Sequence, residues 1–490
     1  MSSPCGHRTY VPGDCASCDC NAAMIRAERD PDTAVRQLEA SCATRPNNPL
    51  LLAIANISVF EPRIYQAGAH KIFIKYALGQ YPSERFHNEP HPVNPLMTIS
   101  RRRWETPVLG LYNILAHIGA SGSRDGGAVA REIRDSYSAI SAVISRDLPQ
   151  LLPPGFVANT RRDLVAGFMG SVFADPRYSR SMYDETSLSL AMHCWLYMSS
   201  EPPSNDAPPK QYNDPYQLLR VLLTNGAIHA VRPNDAVKRA MELVEIDTII
   251  SCVGSRISDA NTLAETLKSD LTFVSLFLGV DEATALAFAH ARFYETMAEG
   301  VCRQLSTGVT SETRQINKMS GSIMNVFFAL PNARSMITES PKVLAMACLG
   351  LVTAERDDSD PWFLFFGRLS SMLDFDNQPA SQPSPFTKAC RTQMEHLYIR
   401  TATPLRALGP TGAARLKVID ALAAKVQLAG DASIYAKWKR NKECSSAYCD
   451  LRNVEQIGGM RKCQRCASVV YHGPACQKSD WKRHKLECKK

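Results

Sequence analysis

The chain has no long hydrophobic run. Its longest apolar stretches, around Leu50–Phe60 and Val343–Leu351, fall well short of the roughly 18 apolar residues needed to cross a bilayer. No membrane span is expected. The start of the chain, Met1-Ser2-Ser3-Pro4-Cys5-Gly6-His7, lacks a basic residue followed by an apolar stretch, so no secretory signal is expected and the protein reads as intracellular. Also missing are a Gly-x-Ser-x-Gly elbow, a Walker loop, a Gly-x-Gly-x-x-Gly loop and a His-Glu-x-x-His pair, and with them the chemistry each supports. Nothing in the sequence marks an enzyme. Alternating strand-like runs are scarce as well, which argues against a β-rich fold.

What is present is helix. At 490 residues, 45% hydrophobic and 21% charged, the chain is long enough for two or three folding units and too apolar for global disorder. From Asp30 to about Gly430 apolar residues recur at three- and four-residue spacing, the period of amphipathic helices. Asp30-Pro31 ahead of Ala34, Val35 and Leu38, and Asn234 ahead of Ala236, Val237, Ala240, Met241 and Val244, read as capped helix starts. Further helices are expected near Pro107–Ile118, Ala128–Ile144, Thr186–Met198, Tyr212–Leu223, Asn261–Leu278, Glu282–Leu305, Glu312–Leu330, Lys342–Ala354 and Ala413–Leu428. Loops are expected at Ser200–Lys210 and Asp374–Pro385, where Pro, Ser, Asn and Asp cluster. An all-α body over 30–430 follows, of the stacked-pair kind seen in armadillo or HEAT arrays, although no fixed internal period is visible.

The 16 cysteines are distributed unevenly, four in the first 20 residues, six from Cys444 on, and six singly between. In a reducing compartment disulfides are disfavoured, which leaves buried thiols or metal ligands. Cys194, Cys252, Cys302, Cys348 and Cys390 stand alone and read as core fillers. His193-Cys194 and the stretch from Asp360 to Phe366 also read as core. Cys5, His7, Cys15, Cys18 and Cys20 could supply ligands to a zinc, but only Cys15-x2-Cys18 has knuckle spacing. Residues 1–29 therefore read as a cysteine-bearing tail.

From Cys444 the ligand-type residues fall into four pairs: Cys444-x4-Cys449, Cys463-x2-Cys466, His472-x3-Cys476 and His484-x3-Cys488. Zinc takes four tetrahedral nitrogen or sulfur ligands, and a knuckle or a helical turn presents two of them together. The i,i+4 spacing of His484 and Cys488 would place both on one helix face, whereas Gly473-Pro474 suggests a turn within the third pair. Eight ligands make two closed sites with no place for a catalytic water, so the ions would be structural.

The run Tyr471-His472 … Cys476-Gln477-Lys478-Ser479-Asp480-Trp481 … His484 … Cys488 resembles the second half of a MYND-type zinc finger. In that family the pairs interleave, which implies one site from Cys444, Cys449, His472 and Cys476 and a second from Cys463, Cys466, His484 and Cys488. The first pair is wider than the family's usual Cys-x2-Cys, and His472 stands where a cysteine is usual. Both changes are tolerable, because a neutral imidazole binds zinc readily and a longer spacer only lengthens the loop. The domain over 444–488 has few large apolar side chains, so metal binding should fold it.

The resemblance also implies a function. MYND fingers are protein-interaction modules that typically capture short proline-containing peptides along a small sheet edge. On that analogy Trp481 would offer a flat face to a proline ring and Gln477 a polar handle. Gln464 occupies a position where some peptide-binding members have serine. The charge suggests an alternative. Residues 437–490 hold 14 Lys and Arg against five Asp and Glu, leaving a net charge of about −1 for everything before them. Such a basic segment attracts phosphates non-specifically, but no base-reading motif accompanies it, and a solvated charged surface is the simpler reading. The run Lys437-Trp438-Lys439-Arg440-Asn441-Lys442 also has the character of a nuclear-import patch, which leaves cytoplasm and nucleus both open. Some MYND proteins are lysine methyltransferases with the finger inside a SET domain. Here the finger is terminal, and the Asn-His-Ser/Cys tripeptide of a SET domain is missing. The resulting expectation is a helical scaffold over 30–430, a basic linker over 431–443 and a two-zinc finger over 444–488 that recruits a protein.

Overall fold

The computed structural model describes residues 16–42, 48–81, 89–90, 98–99, 103–121, 126–151, 156–175, 184–198, 218–219, 222, 233–331, 333–354, 360–376 and 383–428, and in the C-terminal region 461–466, 469–471, 477–478, 480–481, 484–485 and 488. The described residues fall into two compact units, one up to Val244 and one from Glu245 on.

The first unit contains α1 (Ala16–Arg29), α2 (Pro31–Cys42), α3 (Asn48–Ile57), α4 (Arg63–Gln66), α5 (Ala69–Ala77), α6 (Glu105–Ser121), α7 (Gly126–Asp135), α8 (Tyr137–Arg146), α9 (Phe156–Phe173), α10 (Glu185–Leu196) and α11 (Pro233–Glu242). A short antiparallel pair, β1 (Glu89–Pro90) and β2 (Thr98–Ile99), is also present. α3 packs on α6, and α6 packs on α9. The Asp30 carboxylate accepts a hydrogen bond from Thr33 N at 3.0 Å, which starts α2 where the sequence suggested. The cysteine-bearing segment read as a tail is helical from Ala16, and α1 lies against α3 with Ala23 and Ala27 fully buried. The helix expected over Ala128–Ile144 is broken at Ser136. The Ser136 hydroxyl bonds back to Glu132 O at 2.9 Å, a local bond that competes with the helical ladder and bends it.

In the second unit follow α12 (Ile246–Ser258), α13 (Ala264–Leu278), α14 (Glu282–His290), α15 (Phe293–Thr307), α16 (Ser311–Phe327), α17 (Ala333–Glu339), α18 (Pro341–Thr353), α19 (Pro361–Asp376), α20 (Pro385–Ala407) and α21 (Pro410–Lys425). Helices three places apart pack side by side: α12 on α15, α15 on α18, α13 on α16, α16 on α19. The single helix expected over Glu282–Leu305 is two, because Arg292 adopts a left-handed conformation (φ 56°). This conformation costs about 1–2 kcal/mol for a non-glycine residue. It is held by an Arg292–Glu295 ion pair, and the turn sets Phe288 edge-on to Phe293 at 5.1 Å.

The core of this unit joins α16, α18 and α19. Asn317 donates to Gly350 O at 2.9 Å and accepts from Trp362 Nε1 at 2.8 Å, all within buried surroundings. Trp362, Phe365 and Phe366 are buried, as expected of the aromatic stretch, whereas Leu364, expected in the core with them, is exposed. Arg256 and Asp270 form a buried ion pair at 2.8 Å. Cys194, Cys348 and Cys390 are buried, and Cys252 and Cys302 are partly exposed. The first three residues of the loop expected at Asp374–Pro385 are helical, since α19 runs to Asp376, and Ser384 caps α20. The expected loop over Ser200–Lys210, the basic linker and most of the Tyr212–Leu223 helix lie outside the described residues, though Leu218, Leu219 and Leu222 are helical and buried. No single described helix is long and apolar enough to cross a membrane.

Candidate metal centre

Two short strands and a helical segment build the site. β3 (Arg461–Lys462) pairs antiparallel with β4 (Val470–Tyr471), Arg461 opposite Tyr471 and Lys462 opposite Val470. The Cys463 amide extends the ladder by donating to Val469 O at 3.0 Å. The turn that follows carries Gln464 and Arg465 outward and Cys466 back toward Cys463. This is the knuckle expected of a Cys-x2-Cys pair. On the other side Gln477, Lys478, Asp480, Trp481, His484 and Lys485 are helical, bringing the His484 imidazole over the knuckle.

The ligand atoms of Cys463, Cys466, His484 and Cys488 lie within 4.8 Å of one another. The Cys463 and Cys488 sulfurs are 3.8 Å apart, and Cys466 Sγ is 3.4 Å from His484 Nε2. A tetrahedral zinc with bonds of ~2.3 Å to sulfur and ~2.05 Å to nitrogen sets edges of about 3.8 Å for sulfur–sulfur and about 3.6 Å for sulfur–nitrogen. The observed separations match this geometry, so the residues fit a zinc ion. Cys463, His484 and Cys488 are buried and Cys466 is partly exposed, leaving a closed Cys3His set.

One local expectation is corrected. His484 is helical, but Cys488 is not, so the fourth pair does not converge by sharing a helical face. The approach of Cys488 to Cys463 sets its position instead. Burial pushes the Cys488 thiol up to about 11, and the adjoining thiols of Cys463 and Cys466 act in the same direction. A zinc ion would hold these groups as thiolates, its charge offsetting their mutual repulsion.

Around the ligands there is little else. The buried core of the described finger is Cys463, Tyr471 and Cys488, with Cys466 and Val469 packed against it. Tyr471 and Trp481 each meet the His484 ring edge-on, at centroid distances of 6.2 and 6.0 Å. The Tyr471 hydroxyl donates to Asp480 Oδ2 at 2.8 Å, and both residues are fully buried. Sequence reasoning gave Tyr471 and Asp480 no such roles. The available signal was their placement, Tyr471 directly before His472 and Asp480 four residues before His484.

Gln477 and Trp481, the expected peptide contacts, are both partly exposed. The other expected ligand set, Cys444, Cys449, His472 and Cys476, lies outside the described residues, as do Cys5, His7 and Cys15. Cys18 and Cys20 fall within α1.

Residues 444–488 match the family model of the MYND finger. No curated protein matches the chain. The C-terminal segment is a MYND finger, a zinc-binding fold that generally serves as a protein-interaction module.

Proposed function

We propose that the protein is a non-enzymatic intracellular adaptor whose MYND finger holds two structural zinc ions and captures a partner through a short proline-containing peptide. The observation that carries this reading is the convergence of Cys463, Cys466, His484 and Cys488 within a segment matching the MYND family. A second ion on Cys444, Cys449, His472 and Cys476 would complete the family's interleaved pattern, and both sites would be closed and so structural.

Peptide capture is supported by Trp481 and Gln477. They lie one helical turn apart and keep part of their surface exposed. Trp481 turns an edge to His484, which fixes its ring while leaving surface for a partner. Tryptophan so held is a common interface anchor.

Metal analysis of the full chain, combined with capture of proline-containing peptides by wild type, Gln477→Ala and Trp481→Ala, tests the proposal. Two zinc ions per chain and peptide binding lost in Trp481→Ala at unchanged zinc content are expected. Binding that survives both substitutions would overturn the assigned contact. Capture of nucleic acid with steep salt dependence would replace the peptide with phosphate as the ligand.

A further inference from the structure

Tyr471 ties the hairpin that carries two of the thiols to the helical segment that carries the imidazole. It is the last residue of β4, opposite Arg461, and the partner strand β3 leads directly into the knuckle of Cys463 and Cys466. From that strand the Tyr471 hydroxyl donates to Asp480 Oδ2 at 2.8 Å. Asp480 and His484 are both helical and four residues apart, so they share one face of their segment. The Tyr471 ring also meets the His484 imidazole edge-on, at 6.2 Å and 70°, an arrangement that aromatic pairs favour. Tyr471 and Asp480 are fully buried and His484 nearly so, and a buried carboxylate is costly unless hydrogen-bonded. The bond therefore holds the helical segment in one position relative to the hairpin. Trp481 touches the same imidazole, but it belongs to the helical segment and moves with it.

We propose that Tyr471 is a positioning residue of this metal site, holding the His484 imidazole toward the three thiols so that the set closes with four ligands rather than three. The donors differ in how much help they need. Thiolates carry charge and bind zinc strongly, whereas a neutral imidazole has no charge to draw it in and depends on being placed. Tyr471 supplies that placement twice, through the helical segment by its bond to Asp480 and through the ring by its edge contact. Without the hydroxyl the segment is free to shift from the hairpin, and His484 leaves first while Cys463, Cys466 and Cys488 stay together. The inference concerns the set of Cys463, Cys466, His484 and Cys488 alone, and it holds for a finger with one ion or with two.

The test is residue-by-residue footprinting of the full chain at saturating zinc, with N-ethylmaleimide for the cysteines and diethyl pyrocarbonate for the histidines. Each rate is read by mass spectrometry against that of the metal-free chain. In wild type Cys463, Cys466, His484 and Cys488 should all be protected. Tyr471→Phe should speed modification of His484 about tenfold, the scale on which such supporting contacts act, while the three cysteines stay within about twofold of wild type. Asp480→Leu removes the acceptor from the other side of the bond and should do the same. Asp480→Asn keeps an acceptor for the hydroxyl and should leave His484 protected. Loss of protection at all four ligands together in Tyr471→Phe would mean that the residue only keeps the finger folded, and it overturns the proposal. Unchanged protection of His484 in Tyr471→Phe overturns it equally, as does loss of that protection in Asp480→Asn.

Discussion

Cys463 illustrates how much one side chain decides in this finger. It directly follows β3, begins the knuckle and approaches Cys488 to 3.8 Å. Cys463→Ser should lower the zinc content by one ion per chain while leaving the far-ultraviolet dichroism of the helical units unchanged, since those units have their own cores. The helical body has residues of equal consequence. The Gly350 carbonyl accepts a hydrogen bond from the Asn317 amide, and a Cβ at Gly350 would press against Trp362 Nε1 and Asn317 Oδ1. Gly350→Ala should cost about 1–3 kcal/mol by overpacking, measurable by denaturant titration of the second unit. Asp270→Ala should cost about 3–5 kcal/mol, because it strands the buried Arg256 charge. Cys463, Cys466, His484 and Cys488 were legible from the chain, since cysteine and histidine at knuckle spacing have few other uses. Tyr471 and Asp480 were not, because their pairing depends on how a hairpin meets a helix.

Among the elements, helix starts were the most legible feature. Asp30 and Pro31 announce α2, which begins accordingly, whereas α11 begins at Pro233, one residue ahead of the Asn234 expected to cap it. Breaks within helices were not. Neither Ser136 nor Arg292 is a strong breaker by type; the first interruption goes with the local bond of the Ser136 hydroxyl to Glu132 O, and that at Arg292 with the contact of Phe288 with Phe293. Helix ends are also finished by distant residues. Arg415, on α21, donates to Leu351 O at 3.1 Å and Ala354 O at 2.9 Å, satisfying carbonyls that the end of α18 leaves open. Arg415→Met keeps the length of the stem but removes these donors. It should destabilise the second unit by about 1–3 kcal/mol, read as a lower denaturant midpoint with unchanged zinc content.

At the scale of the whole chain, packing recurs every three helices even though no fixed period shows in the sequence. Packing follows the apolar faces of the helices, and loop lengths between them vary. The first unit also contains a buried histidine, His70, and a half-buried one, His193. Burial lowers His70, opposed by its bond to Glu132, and likewise lowers His193, opposed by its bond to Ser189. With folded values below the ordinary 6.5, both are neutral in the folded state near neutral pH. Their contribution is present in full above about pH 6.5 and is lost as pH falls from there through the folded values. Thermal melts between pH 7.5 and 5 should therefore show the first unit losing stability. Replacing both histidines with glutamine should flatten that slope. Chelation should leave the helical signal standing and remove only the finger.

The edge contact between Trp481 and His484 also has an optical consequence. The chain has five tryptophans, and Trp104, Trp195 and Trp362 are fully buried in the helical units. Trp481 sits 6.0 Å from a ligand ring, close enough for a bound cobalt ion to quench its fluorescence while zinc leaves it bright. Exchange of one metal for the other can thus be followed in the intact protein from its own emission, without an added dye.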